Sequence, residues 1–239
     1  MIGIQHIASF IPDKKISNYE RKEKFNIDDN FIEERLGVKC VSLKNDDMET
    51  SDLCATVFNE LISEIAFNRE EIEVLIVVTQ NPDYNLPHTS AIVHGKLGLP
   101  ETCACFDISL GCSGYVYGLS VIQSFMNANH FKKGLLFTAD PYSKIIDAND
   151  KNTCLLFGDA ATVTLLSDSP RYITGEFTFG TIGQNYQDLI CRNQILTMNG
   201  RAIFNFAAQY IPKDVNLLLQ RNRMTIEDRK STRLNSSHL

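Results

Sequence analysis

Residues 107–118 read Asp-Ile-Ser-Leu-Gly-Cys-Ser-Gly-Tyr-Val-Tyr-Gly, and the reading of this stretch decides the fold. An apolar run before it (Ala104, Phe106, Ile108) predicts a strand that stops at Gly111-Cys112-Ser113-Gly114. From Tyr115 to Asn129 a helical run follows, poor in charge, which predicts a helix buried on all sides. A cysteine therefore stands where a strand turns sharply into a helix. The first turn of a helix carries unpaired N–H groups and a partial positive charge. Both favour the thiolate, which is the nucleophilic form of cysteine. The two glycines let the backbone bend tightly and let a substrate come close. A cysteine buried at a strand–helix junction fits the same pattern. The pattern alone leaves both readings of Cys112 open.

Outward from this junction, strands and helices alternate. Ile2–Ile11 reads as a strand closed by Pro12-Asp13. Tyr19–Leu36 is polar and predicts short helices. Ser51-Asp52 is a candidate cap for a helix with apolar Leu53, Val57, Leu61, Ile62 and Ile65. Ile72–Thr79 is β-branched and nearly continuous, as a strand buried on both faces requires. Ser90–Leu97 predicts a short helix ended at Gly98. Gly134–Ala139 predicts a strand. Cys154–Phe157, Gly158-Asp159 and Ala161–Leu166 read as strand, turn and strand. This alternation argues for an α/β protein with a largely parallel sheet.

Composition sets the bounds. At 239 residues the chain has enough length for a large core, and its 44% apolar and 22% charged content is that of a globular protein. A net charge of −6 argues against general binding of nucleic acid or of a membrane surface. Met1–Pro12 is too short for a secretory signal and has no basic start. No apolar run reaches membrane-spanning length. Seven cysteines without a secreted framework spacing point to a reduced, cytoplasmic setting. Cys103-x-Cys105 has the wrong spacing for a zinc knuckle and no second pair or His partner in sequence, so no metal is expected.

The end of the chain breaks the pattern. Asp228–His238 resembles the in-frame translation of a common sequencing adapter. The native sequence is expected to end near Asp228, with residues 229–239 a non-native tail; a genuine polar tail is the alternative.

Further landmarks fall in order along residues 1–227. They are Glu34-Arg35-Leu36-Gly37-Val38-Lys39, Thr79-Gln80-Asn81-Pro82-Asp83, Leu97-Gly98-Leu99 and the cysteine block. Asp150-Lys151-Asn152-Thr153, Phe157-Gly158-Asp159-Ala160-Ala161 and Met198-Asn199-Gly200-Arg201 with Phe204 follow. In this combination the chain resembles the ketoacyl-ACP synthase III family of thiolase-like condensing enzymes. The resemblance implies a layered αβαβα fold made of two related α/β halves. Residues 1–167 would form the half carrying the nucleophile, and residues 168–228 the start of an incomplete second half. It implies a cytoplasmic homodimer in the intact parent, acting on acyl-CoA and acyl carrier protein without a cofactor.

The same resemblance gives Cys112 its role. Its thiolate attacks an acyl thioester, backbone N–H groups hold the oxyanion, and the acyl-enzyme captures a carbanion from decarboxylated malonyl-ACP. Fatty-acid initiation is the leading role; specialised acyl transfer in secondary metabolism or glycan modification is the alternative. Arg35 and Lys151 resemble positions that contact the CoA nucleotide. Lys151 and Lys39 replace the usual arginine, which loses the bidentate fork. Gly158-Asp159 is expected to shape a turn beside the site. Residues 81–95 resemble the segment that crosses the dimer interface. His6, His88, His94 and His130 match no catalytic position. The family's catalytic His falls near position 235, where the chain reads Asn-Ser-Ser-His-Leu. His238 lacks the required context, and the catalytic Asn lies further on. An inactive, aggregation-prone fragment, exposing the sheet face its second half would cover, is therefore the reading of a different class.

Overall fold

The computed structural model describes residues 1–227. Asp228, the tail expectation and His238 lie outside them. Along the chain run strands β1 (Gly3–Phe10), β2 (Lys15–Ser17), β3 (Cys40–Ser42), β4 (Val74–Val78), β5 (Ala104–Ile108), β6 (Lys133–Ala139), β7 (Ala161–Ser167), β8 (Leu189–Arg192) and β9 (Ile195–Met198). The helices are α1 (Lys22–Phe25), α2 (Thr50–Glu64), α3 (Thr89–Leu97), α4 (Gly114–Asn129), α5 (Lys151–Cys154) and α6 (Gly200–Arg221). They form two compact units. The first takes residues 1–14, 42–143 and 158–174; the second takes 15–41, 144–157 and 175 onward.

The first unit is a five-stranded sheet in the order β1-β7-β6-β4-β5. β4 pairs in parallel with both β5 and β6. β7 pairs antiparallel with β6 and with β1. Four strands thus point one way and β7 alone is reversed, so the sheet is mixed but largely parallel, as the alternation of strands and helices predicts. All five residues of β4 are buried, as its continuous apolar run predicts. Period-two alternation divides them between the two faces. Leu75 and Val77 join the cluster of Leu53, Val57, Phe58 and Leu61 from α2. On the other face Val78 meets Gly114 and Gly118 of α4, and Val74 lies against Gly134 of β6.

The α4 layer is close-packed because side chains are missing where it crosses the sheet. A Cβ on Gly114 would overlap Val78 Cγ1, and one on Gly118 would lie 2.9 Å from Leu136 Cδ1. α4 buries Gly114, Gly118, Leu119, Ile122, Gln123 and Met126. Its opposite face is open, with Val116 43% and Val121 38% exposed. The expectation of burial all round is corrected: lack of charge does not by itself bury a helix.

α2 begins at Thr50, one residue before the sequence cap. Glu49 caps it, and its N–H donates to Asp52 Oδ2 at 2.9 Å in a reciprocal capping box. α3 ends at Gly98 in the left-handed region (φ 59°), as expected.

The second unit carries short helical turns over 18–36, including a π-helical turn over Phe31–Leu36 closed by Gly37. Residues 151–154 are helical, which overturns the strand expected from Cys154. Asp150 accepts from Asn152 N at 3.0 Å and Thr153 Oγ1 at 2.7 Å, so it caps a helical turn. β8 and β9 form a hairpin, and α6 follows with Asn199 accepting from Ala202 N at 3.2 Å. α6 buries none of its residues.

Candidate active site

β4, β5 and β6 pair in register so that Val78, Ile108 and Thr138 lie side by side. The loops 79–81, 109–113 and 140–143 therefore leave the sheet at one pole, the carboxyl ends of three parallel strands. That is the position at which open α/β sheets bind ligands. Cys112 stands in the middle loop. Gly114 N donates to Gly111 O at 2.7 Å, which closes a tight turn around it. α4 starts two residues later with Ser113 as its cap. Cys112 is exposed. The thiol thus sits at the amino end of a helix and open to solvent, as the sequence pattern requires of a nucleophile.

The two neighbouring loops are tied to this turn. Asp140, after β6, accepts from Asn81 Nδ2 at 2.5 Å, from Gln80 N at 3.1 Å and from Thr79 Oγ1 at 3.4 Å. Burial raises the pKa of this carboxyl, and those donors work against the rise. Tyr142 donates from its hydroxyl to Gln80 Oε1 at 3.4 Å. Burial first, then the charges of Asp140 and Cys112, push the Tyr142 phenol up to about 12. The phenol is therefore neutral and able to donate near pH 7. Gly111 lies against this pair, since a Cβ there would be 2.5 Å from Gln80 Oε1 and 3.6 Å from the Tyr142 hydroxyl.

Asp159 is fully buried. It accepts from Ser143 N at 2.9 Å, Ser143 Oγ at 2.6 Å and Lys44 N at 2.8 Å. Its own N–H donates to Ser42 O at 2.9 Å. A carboxylate held by three protein donors, Ser143 N, Ser143 Oγ and Lys44 N, shapes the loop beside the site, as expected of Gly158-Asp159. Asp107, in the cysteine block itself, accepts from Thr89 N at 2.7 Å and Ser90 N at 2.8 Å, and so caps α3 from the neighbouring strand.

Arg35 and Lys151 belong to the second unit, Cys112 to the first. Arg35 is exposed on the π-helical turn. Lys151 Nζ lies 4.6 Å over the ring of Phe31, four residues before Arg35 on that turn. The unit thus brings Lys151 to the element that carries Arg35. Phe31 was invisible in sequence as a partner of Lys151, because the two stand 120 positions apart.

The remaining candidates take structural parts. His6 Nε2 pairs with Glu64 Oε2 at 2.5 Å, and His94 Nε2 lies 2.9 Å from Pro100 O. His130 ends α4 in the left-handed region. His88 Nε2 lies 3.7 Å from Cys105 Sγ, which corrects the expectation that Cys105 has no His beside it. Among the described residues no group of three or more His, Cys, Asp or Glu is placed to hold a metal ion. No helix among them is long and apolar enough to cross a membrane.

The whole arrangement superposes on solved enzymes. The β-ketoacyl-[acyl carrier protein] synthase III of Thermus thermophilus matches with a TM-score of 0.87 at 27% identity, over 95% of this chain and 74% of that one. The fold is therefore of the thiolase-like class. Sequence relatives point within that class. The β-ketoacyl-[acyl-carrier-protein] synthase III of Lactococcus lactis is 31% identical, across 94% of this chain and 73% of that protein. The enzyme of the same name from Caldanaerobacter subterraneus is 30% identical, across 95% and 73%. Residues 106–183 match the family profile of 3-oxoacyl-[acyl-carrier-protein (ACP)] synthase III. The chain belongs to the ketoacyl-ACP synthase III family, whose members are condensing transferases.

Proposed function

We propose that Cys112 is the acyl-accepting nucleophile of a fatty-acid-initiating condensing enzyme. One observation carries this: an exposed thiol at the amino end of α4, on the carboxyl pole of three parallel strands, inside the segment that matches the family. The Cys112 thiolate attacks the carbonyl of acyl-CoA, the tetrahedral intermediate collapses, and CoA leaves as its thiolate while the acyl group stays on sulfur. The acyl-enzyme then accepts the carbanion released when malonyl-ACP loses carbon dioxide, and the Cys112 thiolate is expelled. Arg35 and Lys151, with the Phe31 ring beneath Lys151, are the residues we assign to the CoA nucleotide. Their charge and the flat ring suit a phosphorylated base.

We further assign residues 1–167 and 168–228 to the two thiolase-like halves, and propose a cytoplasmic homodimer. The seven free cysteines support a reducing compartment. Two features support self-association. β5 is an edge strand without Pro or Lys, and such an edge is a template for pairing. The loop before α3 holds out Leu86, 86% exposed, and Tyr84, 61% exposed.

Incubation with acetyl-CoA followed by mass spectrometry tests the chemistry. An acetyl adduct is expected on Cys112 and absent in Cys112→Ala. Labelling that persists in that variant, or no labelling of the wild type, overturns the assignment.

A further inference from the structure

The Gly111 face of the nucleophile turn is filled by two polar side chains from the neighbouring strand ends. We infer that Gln80 and Tyr142 are positioning residues for Cys112: they seat the Gly111–Cys112 turn through the side where Gly111 has no Cβ. The inference rests on the reading of Cys112 as nucleophile and adds what holds it.

The geometry is a chain of contacts across the pole. Asp140, at the end of β6, fixes the backbone of Gln80 at the end of β4 by accepting its N–H at 3.1 Å. Asn81 Nδ2 donates to the same oxygen at 2.5 Å. The Gln80 side chain then reaches the turn after β5, where its Oε1 stands 2.5 Å from the position of a Cβ on Gly111. The Tyr142 hydroxyl donates to that Oε1 at 3.4 Å and stands 3.6 Å from the same position. Two loops thus converge on one side of the residue preceding the sulfur. Gln80 is exposed and outside the core, so its replacement is expected to leave folding intact, which urea denaturation checks. A nucleophile misplaced by a fraction of an ångström loses rate without losing substrate affinity.

The contact gives a coupling that a generally structural role lacks. A Cβ on Gly111 would stand 2.5 Å from Gln80 Oε1 and push the end of that side chain off the turn, and Gln80→Ala removes the obstacle. The test measures, on the full chain, acetylation of Cys112 across a range of acetyl-CoA concentrations and alkylation of Cys112 by iodoacetamide. Gln80→Ala is expected to lower the limiting acetylation rate about ten-fold with the half-saturating concentration unchanged. Tyr142→Phe is expected to lower it less. Gly111→Ala displaces the same Gln80 contact and is expected to slow acetylation comparably to Gln80→Ala, and the Gln80→Ala/Gly111→Ala pair is expected to be faster than the product of the two single effects. Alkylation of Cys112 is expected to follow the same order. Additive effects, or wild-type rates in Gln80→Ala, overturn the inference. The alkylation arm does not depend on acyl chemistry: a wild type that alkylates but never acetylates sinks the nucleophile assignment instead.

Discussion

Cysteines in this chain differ in what their surroundings allow. Cys40, Cys112 and Cys191 are exposed, while Cys54 and Cys103 are buried. Burial, followed by the charges of Asp83 and Asp107, pushes the Cys54 thiol up. Burial, followed by Cys105 and Glu73, pushes the Cys103 thiol up to about 12. A raised thiol pKa means less thiolate at a given pH, and the thiolate is what reacts. Limiting iodoacetamide at pH 8 is therefore expected to label Cys112, Cys40 and Cys191 well before Cys54 or Cys103. Raising the pH to 10 is expected to leave Cys103 unlabelled in the folded protein, because its titration lies higher. Peptide mass spectrometry reads both outcomes; early labelling of Cys103 contradicts them. The place of Cys112 between a strand and a helix was legible in sequence because its signal is local: a strand, two glycines and a helix in one stretch. Gln80, Asp140 and Tyr142 were not. Each ends or follows an apolar strand and looks like an ordinary loop residue until β4, β5 and β6 are laid side by side.

Elements show the same division. β4 was legible because five consecutive apolar residues suit only a strand buried on both faces. Leu155-Leu156-Phe157 carries a similar run, yet Asp150 caps a helical turn ahead of it and no strand forms. The capping bond, not hydropathy, decided that segment. α4 shows how closely an element can depend on absent atoms. Gly114 packs on Val78 without room for a methyl group. Gly114→Ala is expected to destabilise the protein by about 1–3 kcal/mol through overpacking. It is also expected to slow Cys112 acetylation, because the first turn of α4 must lift from the sheet. Urea denaturation and the acetylation assay check the two effects; a variant of wild-type stability contradicts the packing argument.

At the scale of the molecule, β5 is the edge where the ladder stops. If a second copy continues it, the mass in solution is expected to be about twice the 26.9 kDa of one chain. The amides of Cys105 and Asp107, which alternate away from β4, are then expected to exchange slowly at concentrations that hold the dimer and quickly on dilution. Light scattering and hydrogen exchange read these; a monomer with fast exchange at Cys105 and Asp107 contradicts the pairing.

The reversal of β7 has an effect on where remote sequence arrives. Ala161 pairs with Ala139, so β7 enters the sheet where β6 leaves it. Residues 158–160 are therefore delivered next to Ser143, and Asp159 can grip that loop from a distance of sixteen positions. Run in the common direction, the same strand would begin at the far pole, and the loop that carries Tyr142 would lose its anchor.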